Sequence, residues 1–191
     1  EYGTLYGRGT KIMTEQSPQN ARILTVDLPD EERGIGKTPY STDEAFVQLD
    51  EMPVGTKYKN SPAGHKVKQV RMDATSPKFA TTLDDFLKGE TIDFALIDAA
   101  HDYDTTKALF ELSLPRISRG GVIMTDDYAK LPTHVGVTRY FAEIADTQGL
   151  LLYHFNPLPI PQGVKETRQS GLFFINLPEA KNRNWKQSSP N

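Results

Sequence analysis

Residues Ile92 to Tyr128 read IDFALIDAAHDYDTTKALFELSLPRISRGGVIMTDDY, and the order of the pieces in this stretch decides the fold. Ile92–Asp98 is a nearly continuous apolar run closed by an acid. That is the pattern of a strand buried on both faces of a parallel sheet, so it is expected to be central. Asp104–Leu114 follows with Ala108, Leu109 and Leu112 at helical spacing and Pro115 near its end. After SRGG, the short run Val122–Thr125 reads as another strand and delivers Asp126, Asp127 and Tyr128 at its carboxyl end. Strand, helix and strand in this order imply an α/β, doubly wound sheet.

The same alternation extends in both directions. Upstream, Arg22–Asp27 (RILTVD) and Val67–Met72 read as strands, each followed or closed by an acid, Asp27 and Asp73. Thr10–Ser17 is expected to form a short helix, and Thr81–Gly89 (TTLDDFLKG) a capped helix closed by glycine. Between them Leu28–Lys66 is a Gly-, Pro- and charge-rich insertion with one weak helical patch at Thr42–Asp50. Downstream, Thr133–Asp146 carries Val137, Phe141, Ile144 and Ala145 at helical period, with Gly149 as a stop. Two last strands, Leu150–Phe155 and Gly171–Leu177, flank the Pro-rich segment Asn156–Ser170, long enough for a flap or a wide hairpin loop. The tail Pro178–Asn191 is polar, with the lone Trp185.

Bulk composition narrows the function. At 191 residues and 37% hydrophobic content the chain suits one domain, expected over residues 1–177 with the insertion at 28–66. A net charge of -3 provides no basic field for nucleic acid, which favours a small-molecule partner. The absence of cysteine removes disulfides, thiolate metal sites and a cysteine nucleophile. No apolar run is long enough for a membrane span, and the expectation is a cytoplasmic protein with homo-oligomerisation left open.

The chain opens on EYGTLYGRGT, an acid followed by Gly3, Gly7 and Gly9. A dinucleotide fingerprint would read GxGxxG, whereas these glycines read GxxxGxG. That spacing argues against a nicotinamide or flavin fold. In a doubly wound sheet ligands bind outside the carboxyl ends of the strands, where this turn, Asp27, Asp73, Asp98, Asp126 and Asp127 are all expected.

The order of these motifs resembles the class I S-adenosylmethionine (SAM) dependent methyltransferases, particularly the small-molecule O-methyltransferases of the catechol and macrolide sugar types. Glu1–Thr10 is similar to that family's first motif, Asp27 to the acid closing its second strand, VRMDATSPKF to its third-strand segment, and Phe94–Tyr128 to its fourth and fifth strands. The resemblance implies a Rossmann-like, mostly parallel seven-stranded sheet with an antiparallel last strand. In that family a strand runs directly into the acid and glycine turn, so residues upstream of Glu1 are expected.

The resemblance also implies a site. Glu1, Gly3, Thr4, Gly7 and Thr10 would lie at the amino-acid end of SAM, Asp27 at the ribose, Asp73 and Ala74 beside the adenine, and Asp98 also at the cofactor. A strand-end carboxylate can accept two hydrogen bonds from vicinal hydroxyls, or it can simply cap a turn. Three carboxylates on one rim call for solvation, protonation or a cation, and Asp98, Asp126 and Asp127 match the places where metal-dependent relatives hold magnesium. Metal-independent relatives carry an acid or histidine there too, so both readings stand. His101, three residues past Asp98, matches the position of a general base, and an imidazole titrating near neutrality suits that role. Tyr103 and Tyr128 are candidates for the lining of an acceptor pocket, while His65, His134 and His154 are expected to be structural. The expected function is methyl transfer to a hydroxyl of a small sugar or phenolic metabolite. Its rivals are a metal-independent enzyme with another acceptor and a SAM-binding protein without catalysis.

Overall fold

Ile23–Asp27 (β1) and Val67–Arg71 (β2) pair in parallel, Ile23 opposite Val67 and Asp27 opposite Arg71. In this computed structural model residues 1–32, 53–126, 128, 135–148, 152–155 and 171–175 are described. The chain divides into two compact units, Glu1–Phe86 and Leu87–Asn191.

In the first unit, residues 1–3 run along the second edge of β1. Val26 N–H donates to Glu1 O at 3.0 Å and Gly3 N–H to Val26 O at 2.9 Å, with Tyr2 bridged in parallel to Val26. The glycine turn then enters α1 (Arg8–Gln16). Leu24, Val26, Val70, Phe79 and Leu83 are buried, and Tyr2 meets the Phe79 ring edge-on at 5.9 Å. Phe79 belongs to α3 (Pro77–Leu87), which starts four residues before the expected Thr81. The cause is local: Ser76 Oγ accepts from Phe79 N–H at 3.3 Å, and Pro77 stands at the first helical position, where its missing N–H is harmless.

The described part of the insertion, residues 28–32 and 53–66, carries one short helix and one 3-10 turn. The Thr42–Asp50 patch lies outside the described residues, but Thr56–Lys59 forms the short α2 and Gly64–Lys66 the 3-10 turn. Lys66 Nζ ties that turn to the end of α1, donating to the carbonyls of Thr14 and Ser17 at 3.0 Å each.

The second unit contains β3 (Ile92–Ile97), α4 (Tyr103–Ser113), β4 (Ile117–Thr125), α5 (Val135–Gln148), β5 (Leu152–Phe155) and β6 (Gly171–Ile175). Its sheet order is β3-β4-β6-β5, with β3 and β4 parallel and β6 antiparallel to both of its neighbours. The antiparallel last strand is therefore as expected. Two other expectations are corrected. Among the described residues β3 stands at one end of that four-stranded order, and Phe94, on a strand expected to be buried on both faces, is 43% exposed. SRGG does not precede β4 but lies within it: the register passes from Ile92 opposite Ile117 to Phe94 opposite Val122, so the extra residues bulge out of the ladder.

Aromatic rings fill the middle of this unit. Phe110 of α4 stands edge-on to Tyr140 at 5.8 Å, Phe141 at 5.3 Å and Phe174 at 5.9 Å. Such offset geometry sets positive ring edges against negative faces. The segment Asn156–Ser170 and the tail Pro178–Asn191 lie outside the described residues. Among those described, no helix is long and apolar enough to cross a membrane.

Candidate active site

The glycine turn is held by hydrogen bonds from several sides. Gly7 N–H donates to Thr4 O at 2.7 Å, Gly55 N–H to Leu5 O and Lys57 N–H to Tyr6 O at 2.8 Å each, and Leu5 N–H to Asp27 Oδ2 at 2.7 Å. Leu5 sits at φ 46°, a left-handed conformation that costs a side-chain-bearing residue about 1–2 kcal/mol. Its two bound backbone groups keep it there. Gly7 sits at φ 76°, and a Cβ on it would lie 2.4 Å from Cδ1 of Tyr58, so only glycine fits between the turn and α2.

Below the turn lies a chain of buried polar groups. Glu1 Oε2 accepts from Thr25 Oγ1 at 2.7 Å and also from Thr10 Oγ1, and the Thr4 and Thr25 hydroxyls lie 2.6 Å apart. A hydroxyl has one proton, so with Thr25 donating to Glu1, Thr4 must donate to Thr25. Thr4, Thr10 and Thr25 are all buried. Of the residues expected to hold a cofactor, Glu1, Thr4 and Thr10 thus brace the turn from within, while Gly3 and Gly7 leave its backbone free of side chains. Tyr58, which no sequence signal picks out, is 2% exposed, and its hydroxyl has no hydrogen-bond partner among the described residues. Burial pushes its phenol up to about 12, with the Glu1 carboxylate adding to the shift and Arg71 opposing it.

Asp27 is half-buried at the carboxyl end of β1, and one of its oxygens positions Leu5. A carboxylate there, beside glycines that admit close approach, is able to accept hydrogen bonds from a pair of vicinal hydroxyls. Asp73 turns back on its own loop. Its Oδ1 accepts from Thr75 N–H at 2.8 Å and Thr75 Oγ1 at 2.7 Å, the turn-capping alternative, and Ala74 lies within that same turn.

In the second unit β3 and β4 bring two acids together. Ile97 pairs with Thr125, and Asp126 N–H extends the ladder by donating to Ile97 O at 3.0 Å, so Asp98 and Asp126 follow neighbouring strand ends. Asp98 is exposed, whereas Asp126, Tyr128 and His101 are partly covered. Asp127 lies outside the described residues, and among the described ones no group of three His, Asp or Glu side chains is arranged to hold a metal. His101 sits just before Asp102, which caps α4: Asp102 Oδ1 accepts from Thr105 N–H at 2.8 Å. The Tyr103 hydroxyl donates to Glu143 Oε2 at 2.7 Å, and that bond raises its pKa.

The model of one family, described as a methyltransferase domain, matches residues 1–128. The chain belongs to this family. The matched residues include both the glycine turn and the Asp98–Asp126 strand ends. Among solved structures, the methyltransferase is similar to an O-methyltransferase from Bacillus cereus in complex with SAH, at TM-score 0.57 and 18% identity over 91% of this chain and 71% of that one. It is also similar to TomG, an O-methyltransferase from Streptomyces achromogenes involved in tomaymycin synthesis and solved with SAM, at TM-score 0.59 and 17% identity over 92% and 71%. An rRNA methylase from Streptococcus thermophilus matches at TM-score 0.56 and 15% identity over 92% and 83%. The shared fold therefore does not choose the acceptor. No curated protein sequence matches the methyltransferase.

Proposed function

We propose that the methyltransferase transfers a methyl group from SAM to a hydroxyl of a small molecule, with His101 accepting the hydroxyl proton. The observation that carries this reading is the position of His101, a few residues beyond the end of β3, whose neighbour β4 is followed directly by Asp126. An imidazole of ordinary basicity can take a proton near neutral pH. When bound, SAM supplies a methyl carbon on a positively charged sulfur, open to in-line attack. Asp27 would hold the ribose hydroxyls, and the backbone of residues 3–7 would face the amino-acid end. The net charge of -3 and the O-methyltransferases among the similar structures support a small acceptor, sugar or phenolic, over a polyanionic one.

A magnesium ion belongs to this proposal as its finer part. The adjacency of Asp98 and Asp126 favours it, with Asp127 as the next oxygen donor in the chain. Such an ion would offset the repulsion between the carboxylates and make an acceptor hydroxyl more acidic.

Calorimetric titration of SAM into the full-length protein, with and without magnesium, tests both parts. SAM should bind, and Asp27→Ala should weaken it by about 100-fold, the loss expected for charge-assisted hydrogen bonds. A magnesium-dependent signal should vanish in Asp98→Ala. A folded protein that ignores SAM would overturn the reading.

A further inference from the structure

Four residues of α5 fall on one stripe, Gly136, Arg139, Tyr140 and Glu143, spaced i, i+3, i+4 and i+7. All four meet the short segment that carries His101. A Cβ on Gly136 would lie 2.3 Å from Tyr103 N, 2.4 Å from Asp102 C and 2.6 Å from His101 O, about 1 Å inside ordinary van der Waals contact. The helix can approach that backbone only because position 136 has no side chain. One turn on, the Arg139 guanidinium lies over the Tyr103 ring at 5.0 Å, and Tyr140 meets the same ring edge-on at 5.6 Å and 85°. Glu143 completes the stripe by accepting a hydrogen bond from the Tyr103 hydroxyl, with the oxygens 2.7 Å apart.

From its other side the segment is tied to α4. Asp102 caps that helix through Thr105, and Thr106 Oγ1 donates to Asp102 O at 2.7 Å. Residues 101–103 are therefore gripped between the start of one helix and one face of another, with backbone contact at Gly136 and a side-chain contact at Tyr103. We infer that this stripe of α5 sets the position of His101, so that Gly136, Tyr103 and Glu143 are positioning residues for the proton-accepting step. The inference rests on the reading of His101 as the base.

The test uses Gly136→Ala, Tyr103→Phe and Glu143→Gln in the full-length protein. The ring signal of His101 is followed by proton–carbon NMR, assigned by its absence in His101→Asn, together with amide exchange over residues 102–106 and SAM affinity by calorimetry. Gly136→Ala should displace the ring signal and speed exchange, Tyr103→Phe should do so less, and Glu143→Gln, which keeps an acceptor, should stay near wild type. SAM affinity should remain within about twofold, since a factor of two is only about 0.4 kcal/mol. Ring signals and exchange that superimpose on wild type in Tyr103→Phe, and in Gly136→Ala wherever it folds, would overturn the inference. Transfer of labelled methyl from SAM to catechol separates the two readings. If the ring signal moves but His101→Ala transfers methyl as well as wild type, the positioning stands and the base assignment falls.

Discussion

The two ends of the proposed chemistry are built from different materials. In the first unit the glycine turn is shaped by backbone hydrogen bonds and by a buried chain of hydroxyls ending on Glu1. In the second, His101 follows the end of β3, and the order of its segment comes from an aromatic side chain gripped by a helix. In the proposed chemistry the difference means that holding the cofactor would be written into backbone conformation, where few substitutions are tolerated. Handling a proton needs an accessible side chain, and access has to be reconciled with placement.

On this division of labour the two ends can be disabled separately. The largest expected effect is that of His101→Ala, which should lower kcat by roughly 100- to 10,000-fold, the usual worth of a positioned general base. SAM affinity in that variant should match wild type by calorimetry. A parallel loss of both would break the comparison.

Gly7→Ala probes the opposite end. The left-handed φ and the Tyr58 ring both oppose a methyl group there. Strain alone should remove about 1–2 kcal/mol of stability, seen as a lower Tm, and SAM affinity should fall with it. An alanine variant with wild-type melting and binding would show that the turn is not held as rigidly as its contacts imply.

The smallest effect sharpens the comparison through a single buried hydroxyl. Tyr58→Phe removes a phenol that lacks a partner among the described residues, so at neutral pH it should stabilise the protein by about 1 kcal/mol in denaturant titration. The sign of the pH dependence follows from the phenol's rise to about 12. Below its ordinary value near 10 both the folded and unfolded states keep the proton, whereas between about 10 and 12 only the unfolded state loses it. Wild-type stability should therefore fall across that window, and the fall should be shallower in Tyr58→Phe. Equal slopes would place the hydroxyl in contact with solvent.

Much of this organisation was legible from local pattern. Apolar runs that stop at Asp27 and Asp98 mark strand ends because a buried strand cannot carry a charge far inside, and the structure ends β1 and β3 at Asp27 and Ile97. Other features were hidden by competing local signals. SRGG reads as a turn because glycines punctuate most chains, yet a ladder can absorb extra residues as a bulge and continue. The earlier start of α3 was available in Ser76-Pro77 and was overshadowed by the capping pattern at Thr81. The contacts of Gly7 with Tyr58 and of Gly136 with Tyr103 pair residues far apart in the chain. No periodicity or spacing rule links such positions, and neither unit's brace could be read before the chain was folded.

The hydroxyl chain beneath the glycine turn has one further consequence. Sliding β1 by one residue would bring Leu24 or Val26 to the place of Thr25 and strand the Glu1 carboxylate and the Thr4 hydroxyl without their partners. An apolar interior of similar volume would forgive such a slip far more readily. The buried threonines thus act as a proofreading device for strand alignment, rejecting every register but the one that presents Asp27 to the turn.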